Sequence, residues 1–148
     1  MPVERAEASQ CVTSVRASGR NLSMVHTSYM SSPAWLAAIH AVYYGVTGLW
    51  PLVHMPSFLA VTGPKTDIWL VRTVGVLILA ITCPLALAAW RGAVVPEVFA
   101  LAVASCIGFA AIDIIYVARG TIRKIYLADA AGEILLLGAW LLVWSAAH

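Results

Sequence analysis

The sequence predicts an all-α integral membrane protein: a four-helix up-down bundle preceded by a polar, disordered tail. Three observations carry this. Apolar residues make up 61% of the 148-residue chain and charged residues only 11%, with a mean hydropathy of +0.88. A soluble domain carries roughly 25% charged residues, so this chain cannot cover a water-facing surface in the usual way. Four apolar runs each approach the ~20 residues that a helix needs to cross a hydrocarbon core. Short polar connections separate several of them, which makes consecutive helices antiparallel neighbours.

Residues 1–33 form the tail. They are polar, rich in Ser, Ala and Arg, and without sustained period, so they offer little apolar surface to offset ordering entropy. The apolar stretch and cleavage site of a signal peptide are missing. Met24 and Met30 are alternative starts, the first of which would leave residues 1–23 untranslated.

Residues 34–148 form the membrane domain. The first run, 34–54, is "AWLAAIHAVYYGVTGLWPLVH", introduced by Pro33. A longer connection follows, "MPSFLAVTGPKT", whose Phe58, Leu59 and Val61 suit it to lie on the membrane surface. Thr66 or Asp67 can cap the second run, 68–90, in which Pro84 is expected to kink or end the helix. The third run, 97–118, begins at Pro96, where a missing N–H costs nothing, and Glu97 suits the helix dipole. Ala100, Ala104 and Gly108 repeat every four residues there and would let a neighbour approach closely. The fourth run, 126–146, opens "YLADAAGEILLLGAW". With no water to satisfy open backbone groups in lipid, a helix is the form such runs take. The six tryptophans lie mostly toward run ends, as interfacial anchors do.

Several function classes drop out. A net charge of +2 without a basic, aromatic-interleaved patch excludes nucleic acid as a partner. Cys11, Cys83 and Cys106 are far apart and form no C-x-x-C, so neither a redox pair nor a zinc knuckle is indicated. No Glu-x-x-His pair, H-E-x-x-H, phosphate loop or G-x-S-x-G occurs. No metal or other cofactor is named by the sequence.

The polar residues are unevenly distributed. An up-down bundle brings the end of run one, the start of two, the end of three and the start of four into one leaflet. His54, Lys65, Asp67, Arg72, Asp113, Tyr116, Arg119, Arg123, Lys124, Tyr126, Asp129 and Glu133 all map there. The other leaflet receives little beyond Arg91, Glu97 and His148. Helical spacing lines up His40, Tyr44, Thr47, Pro51 and His54 in run one, and Cys106, Phe109, Asp113 and Tyr116 in run three. Tyr126, Asp129, Glu133 and Trp140 form the stripe of run four. Polar stripes on membrane helices face the bundle interior, because lipid offers them no partner.

The candidate site is therefore Arg72, Asp113, Tyr116, Arg119, Tyr126, Asp129, Glu133 and His54, with Arg72 expected to pair with the acids. A ligand- or lipid-binding accessory protein fits this pattern best. The alternatives are a small proton-coupled transporter or channel acting as an oligomer, and an enzyme using carboxylates on a lipophilic substrate. The expected partners are the lipid bilayer and either a second copy or a larger membrane complex. Lys65, Arg72, Arg119, Arg123 and Lys124 against Arg91 alone would put the charged loops on the cytoplasmic side of the cell membrane. Counting Arg5, Arg16 and Arg20 of the tail makes it five against four, which decides little.

Overall fold

The computed structural model of the chain describes residues 34–147; the tail expected over residues 1–33 lies outside them. The elements among the described residues are all helices: α1 (Ala34–Val53), α2 (Met55–Thr62), α3 (Ile68–Arg91), α4 (Pro96–Ala118) and α5 (Tyr126–Ala147). The long ones hold 20, 24, 23 and 22 residues. At ~1.5 Å per residue each reaches across a hydrocarbon core of about 30 Å. All four are apolar enough to span, which makes this a multi-pass integral membrane protein.

The four spanning helices alternate up and down and pack chiefly as two pairs, α1 with α3 and α4 with α5. Between the pairs lies a core of Leu36, Tyr44, Ile78, Leu85, Ala102 and Trp140. The outward faces carry Val42, Val46, Val53, Trp69, Leu135 and Leu142, all exposed for lipid contact. In lipid, association rests on close packing and hydrogen bonds, since acyl chains are as apolar as leucine. The α1–α3 contact meets that demand at two glycines. A Cβ on Gly48 would stand 2.9 Å from the Gly75 carbonyl oxygen, and one on Gly75 would stand 2.7 Å from that of Gly48.

This close approach is not the one expected from the sequence. Ala100, Ala104 and Gly108 are exposed on α4, and nothing lies within 4 Å of a Cβ placed on Gly108. Of the two outcomes expected at Pro84, a kink or an early end, the early end does not occur: α3 continues through it to Arg91. Gly92, in the left-handed region at φ 68°, then closes it by donating to Ala88 and Ala89. Asp67 holds the N-cap position of α3 without a side-chain cap bond, and accepts instead from the Thr66 hydroxyl.

The segment between the first two spans folds as α2. His54 caps it by accepting from the Ser57 N–H through Nδ1 at 3.2 Å. Trp50 donates to Ser57 Oγ at 2.8 Å and meets Phe58 edge-on, so α2 is tied back to the end of α1. Gly63, at φ 95°, turns the chain out of α2. A side chain there would collide with Arg123 at 2.9 Å.

Candidate functional site

α1 presents His40, Tyr43 and Tyr44 on the side facing the α4–α5 pair, one turn apart and so on one stripe. α4 contributes Cys106 and Asp113, and α5 contributes Asp129, Glu133 and Trp140. Glu133 is 2% exposed and Asp113 is 7% exposed, so both acids are inside the bundle. The Tyr43 hydroxyl donates to Asp129 Oδ1, and the Tyr44 hydroxyl donates to Glu133 Oε2 at 3.0 Å. Asp113 lies close enough to interact with both Asp129 and Glu133. Its Oδ2 is buried and has no hydrogen-bond partner.

No basic side chain forms an ion pair with these acids among the described residues. Arg72, expected to pair with them, is exposed. The reason is angular. The buried face of α3 runs through Gly75, Ile78, Leu85 and Ala88, and stepping back one turn reaches Val71, with Arg72 about 100° further round. The remaining bases also stay out. Arg119 lies over the exposed Tyr116 ring, 5.7 Å from its centroid, and Lys65 lies 5.0 Å from the centroid of Tyr126. His54 is exposed and serves as the α2 cap. Three acids of the candidate set thus converge, while Arg72, Tyr116, Arg119 and His54 do not join them.

A cavity of about 440 Å³ opens between α1, α2 and α5. Tyr43, Trp50, Phe58 and Tyr126 give it aromatic walls, Thr62 adds a hydroxyl, and Asp129 supplies a carboxylate. Its lining includes the exposed apolar Val46, Val61 and Ile125. Behind Asp129, the polar groups continue inward through Glu133 to His40, Cys106 and Trp140.

That inner group is the one place among the described residues where three metal-ligating side chains bring their ligand atoms this close together. A His40 nitrogen, Cys106 Sγ and a Glu133 oxygen lie within 4.8 Å of one another. The hydrogen bonding does not suit a metal. The Trp140 indole N–H donates to His40 Nδ1 at 3.1 Å, so Nδ1 accepts. A neutral imidazole then carries its proton on Nε2, which is 3.9 Å from Cys106 Sγ. Histidine ligands ordinarily show the reverse pattern, with the remote nitrogen donating to an acceptor. The same tautomer deprives Cys106 of a base.

Tyr43, Tyr44, His40, Cys106 and Trp140 were outside the candidate set although several lay on its stripes. Phenols and indoles read as packing in a sequence. Their spacing relative to the acids was the available signal. Comparison with protein-family models, curated proteins and solved structures finds no match to this chain.

Proposed function

We propose that this small membrane protein is a binding protein for amphiphiles with a cationic head, received in the α1–α2–α5 cavity. The observation that carries the reading is the cluster of Asp113, Asp129 and Glu133 without an ion-pairing base, reached from a cavity with aromatic walls. Acids inside a membrane protein ordinarily pair with a base or mark a pathway for ions or substrates. A cation would supply the missing counter-charge, and aromatic faces attract ammonium groups by ~0.5–2 kcal/mol each. The buried, unpartnered Asp113 oxygen adds a second demand for positive charge or a donor. An alkyl tail would leave past Val46, Val61 and Ile125 into the bilayer.

Binding of decyltrimethylammonium to the purified full chain in maltoside detergent tests this. Asp129→Asn is expected to weaken it about tenfold or more, the scale of one charge-assisted interaction. Asp67→Asn, on an exposed acid outside the cavity, leaves it unchanged. Equal binding to wild type and Asp129→Asn overturns the reading.

A proton-coupled carrier built from several copies is the second reading. It is favoured by the inward continuation from Asp129 through Glu133 to His40. Beyond Trp140 the ring of Phe99 meets Trp140 edge-on and stacks on Trp144 at 4.0 Å. The carrier reading requires pH-driven flux in liposomes that Glu133→Gln abolishes. The enzyme reading, with Asp129 or Glu133 as the acid–base group on a lipophilic substrate, requires a lipid-soluble product that is lost in Glu133→Gln while the fold survives. For orientation, the positive-inside bias of Lys65, Arg72, Arg119, Arg123 and Lys124 supports a cytoplasmic face for the cavity end.

A further inference from the structure

A second cavity, of about 290 Å³, adjoins the first and has the opposite character. It lies where the turn after α2 meets the α4–α5 connection, and Gly63, Lys65, Gly120, Thr121 and Arg123 line it. Thr62 lines both cavities. Lys65 of the second stands over the ring of Tyr126, which walls the first. The Arg123 side chain lies along Gly63 and donates from Nη1 to the Ala60 carbonyl at 3.3 Å. That bond uses one of its five N–H donors. Neither Lys65 nor Arg123 is ion-paired among the described residues.

Opposite charges on adjoining cavities define a ligand that carries both. We infer that the pair forms one site for a zwitterionic phospholipid headgroup. The ammonium occupies the aromatic cavity at Asp129, the phosphate lies between Lys65 and Arg123, and the acyl chains remain in the bilayer. This inference rests on the amphiphile-binding reading above and names its ligand class. Three features favour a lipid over a free phosphate ester. The site opens at the ends of spanning helices, its first cavity is walled mostly by aromatic and apolar side chains, and Val46 of the spanning α1, Val61 and Ile125 add exposed apolar surface to its rim. An anionic lipid would leave Asp129 facing its own headgroup, and a purely cationic amphiphile would leave Lys65 and Arg123 without a partner.

Three decyl amphiphiles that differ only in headgroup separate these cases: decylphosphocholine, decyltrimethylammonium and decyl phosphate, each titrated against the full chain in maltoside detergent. The zwitterion is expected to bind about tenfold or more tighter than either of the others, as one further charge-assisted contact allows. Lys65→Ala combined with Arg123→Ala should reduce decylphosphocholine to the level of decyltrimethylammonium and leave the latter unchanged. Arg123→Lys, which keeps the charge, should retain most of the preference, and circular dichroism checks that each variant folds. Should the zwitterion bind no tighter than decyltrimethylammonium, or the double variant leave its preference intact, the headgroup inference fails. In that event a surviving loss of decyltrimethylammonium binding in Asp129→Asn keeps the cation site standing. Loss of that dependence too would remove both. Glycerophosphocholine binding as tightly as decylphosphocholine would overturn the lipid assignment.

Discussion

The Tyr44 hydroxyl donates to Glu133 Oε2 at 3.0 Å in the interior of the bundle, and each residue is only 2% exposed. Removing the donor leaves a buried carboxyl oxygen with no water to replace it, which costs ~1–3 kcal/mol. Tyr44→Phe should therefore lower the thermal midpoint in detergent clearly. Glu133→Gln should cost less, because the amide oxygen still accepts from Tyr44. Thermal scans of both variants check the order; Tyr44→Phe proving as stable as wild type would contradict the bond's role.

Asp113 sits in the opposite situation, since its Oδ2 is buried without a partner and its neighbours Asp129 and Glu133 are also acids. Asparagine keeps the shape, removes a like charge and supplies donors toward them. Asp113→Asn is expected to stabilise the unliganded protein by about 1–2 kcal/mol while weakening decyltrimethylammonium binding several-fold. The paired readout is thermal stability without ligand and affinity with it. Destabilisation, or unchanged affinity, would place Asp113 in a purely architectural role.

The spans were legible because their signal is additive. Twenty or so apolar residues outweigh any single exception, and the expected run 34–54 differs from Ala34–Val53 by one residue. Helical spacing also put Asp113 and Glu133 on inward stripes, and both are buried. What failed were questions of partner choice. Arg72 misses the buried face of α3 by one residue, and pairing depends on that angle. The tight α1–α3 contact uses Gly48 and Gly75 on different helices, whereas the repeat of Ala100, Ala104 and Gly108 faces outward. Small-residue spacing marks where a helix can be approached, and only packing decides whether it is. His54 entered the candidate set through its stripe and leaflet, and its Nδ1 closes the first turn of α2.

The glycine contact yields a sharp comparison. Gly75→Ala places Cβ 2.7 Å from the Gly48 carbonyl oxygen, and Gly48→Ala places it 2.9 Å from that of Gly75. Backbone cannot step aside as a flexible side chain can, so each change should destabilise by ~1–3 kcal/mol, the range for overpacking. Gly108→Ala, with nothing within 4 Å, serves as the control and should be neutral or slightly stabilising through helix propensity. Chemical denaturation in mixed micelles would rank the three, and equal behaviour of Gly75 and Gly108 would refute the close approach.

The hydrogen bond from Trp140 to His40 predicts the metal chemistry of the inner group. With the His40 proton held on Nε2, the wild-type protein should give no cobalt–thiolate absorption on titration with Co(II). Trp140→Phe removes the donor to Nδ1 and frees the tautomer, so a band from Cys106 ligation is expected there if the variant remains folded by circular dichroism. A band of equal strength in the wild type would show that the indole does not govern His40.

Topology supplies the last prediction. Thr66 in the α2–α3 connection and Thr121 in the α4–α5 connection are exposed, and the up-down order puts both at the same membrane face. Glu97, exposed in the first turn of α4, belongs to the other face. In a background with the cysteines replaced, single cysteines at these three positions can be probed with an impermeant maleimide in sealed vesicles. Thr66→Cys and Thr121→Cys should label together, and Glu97→Cys should label only from the opposite side. Right-side-out vesicles should label Glu97→Cys alone if Lys65, Arg72, Arg119, Arg123 and Lys124 outweigh Arg91 together with the Arg5, Arg16 and Arg20 that precede α1. Opposite labelling of Thr66→Cys and Thr121→Cys would separate the two connections. It would then be impossible for Lys65 and Arg123 to share a cavity, and for Asp129 to lie beneath α2.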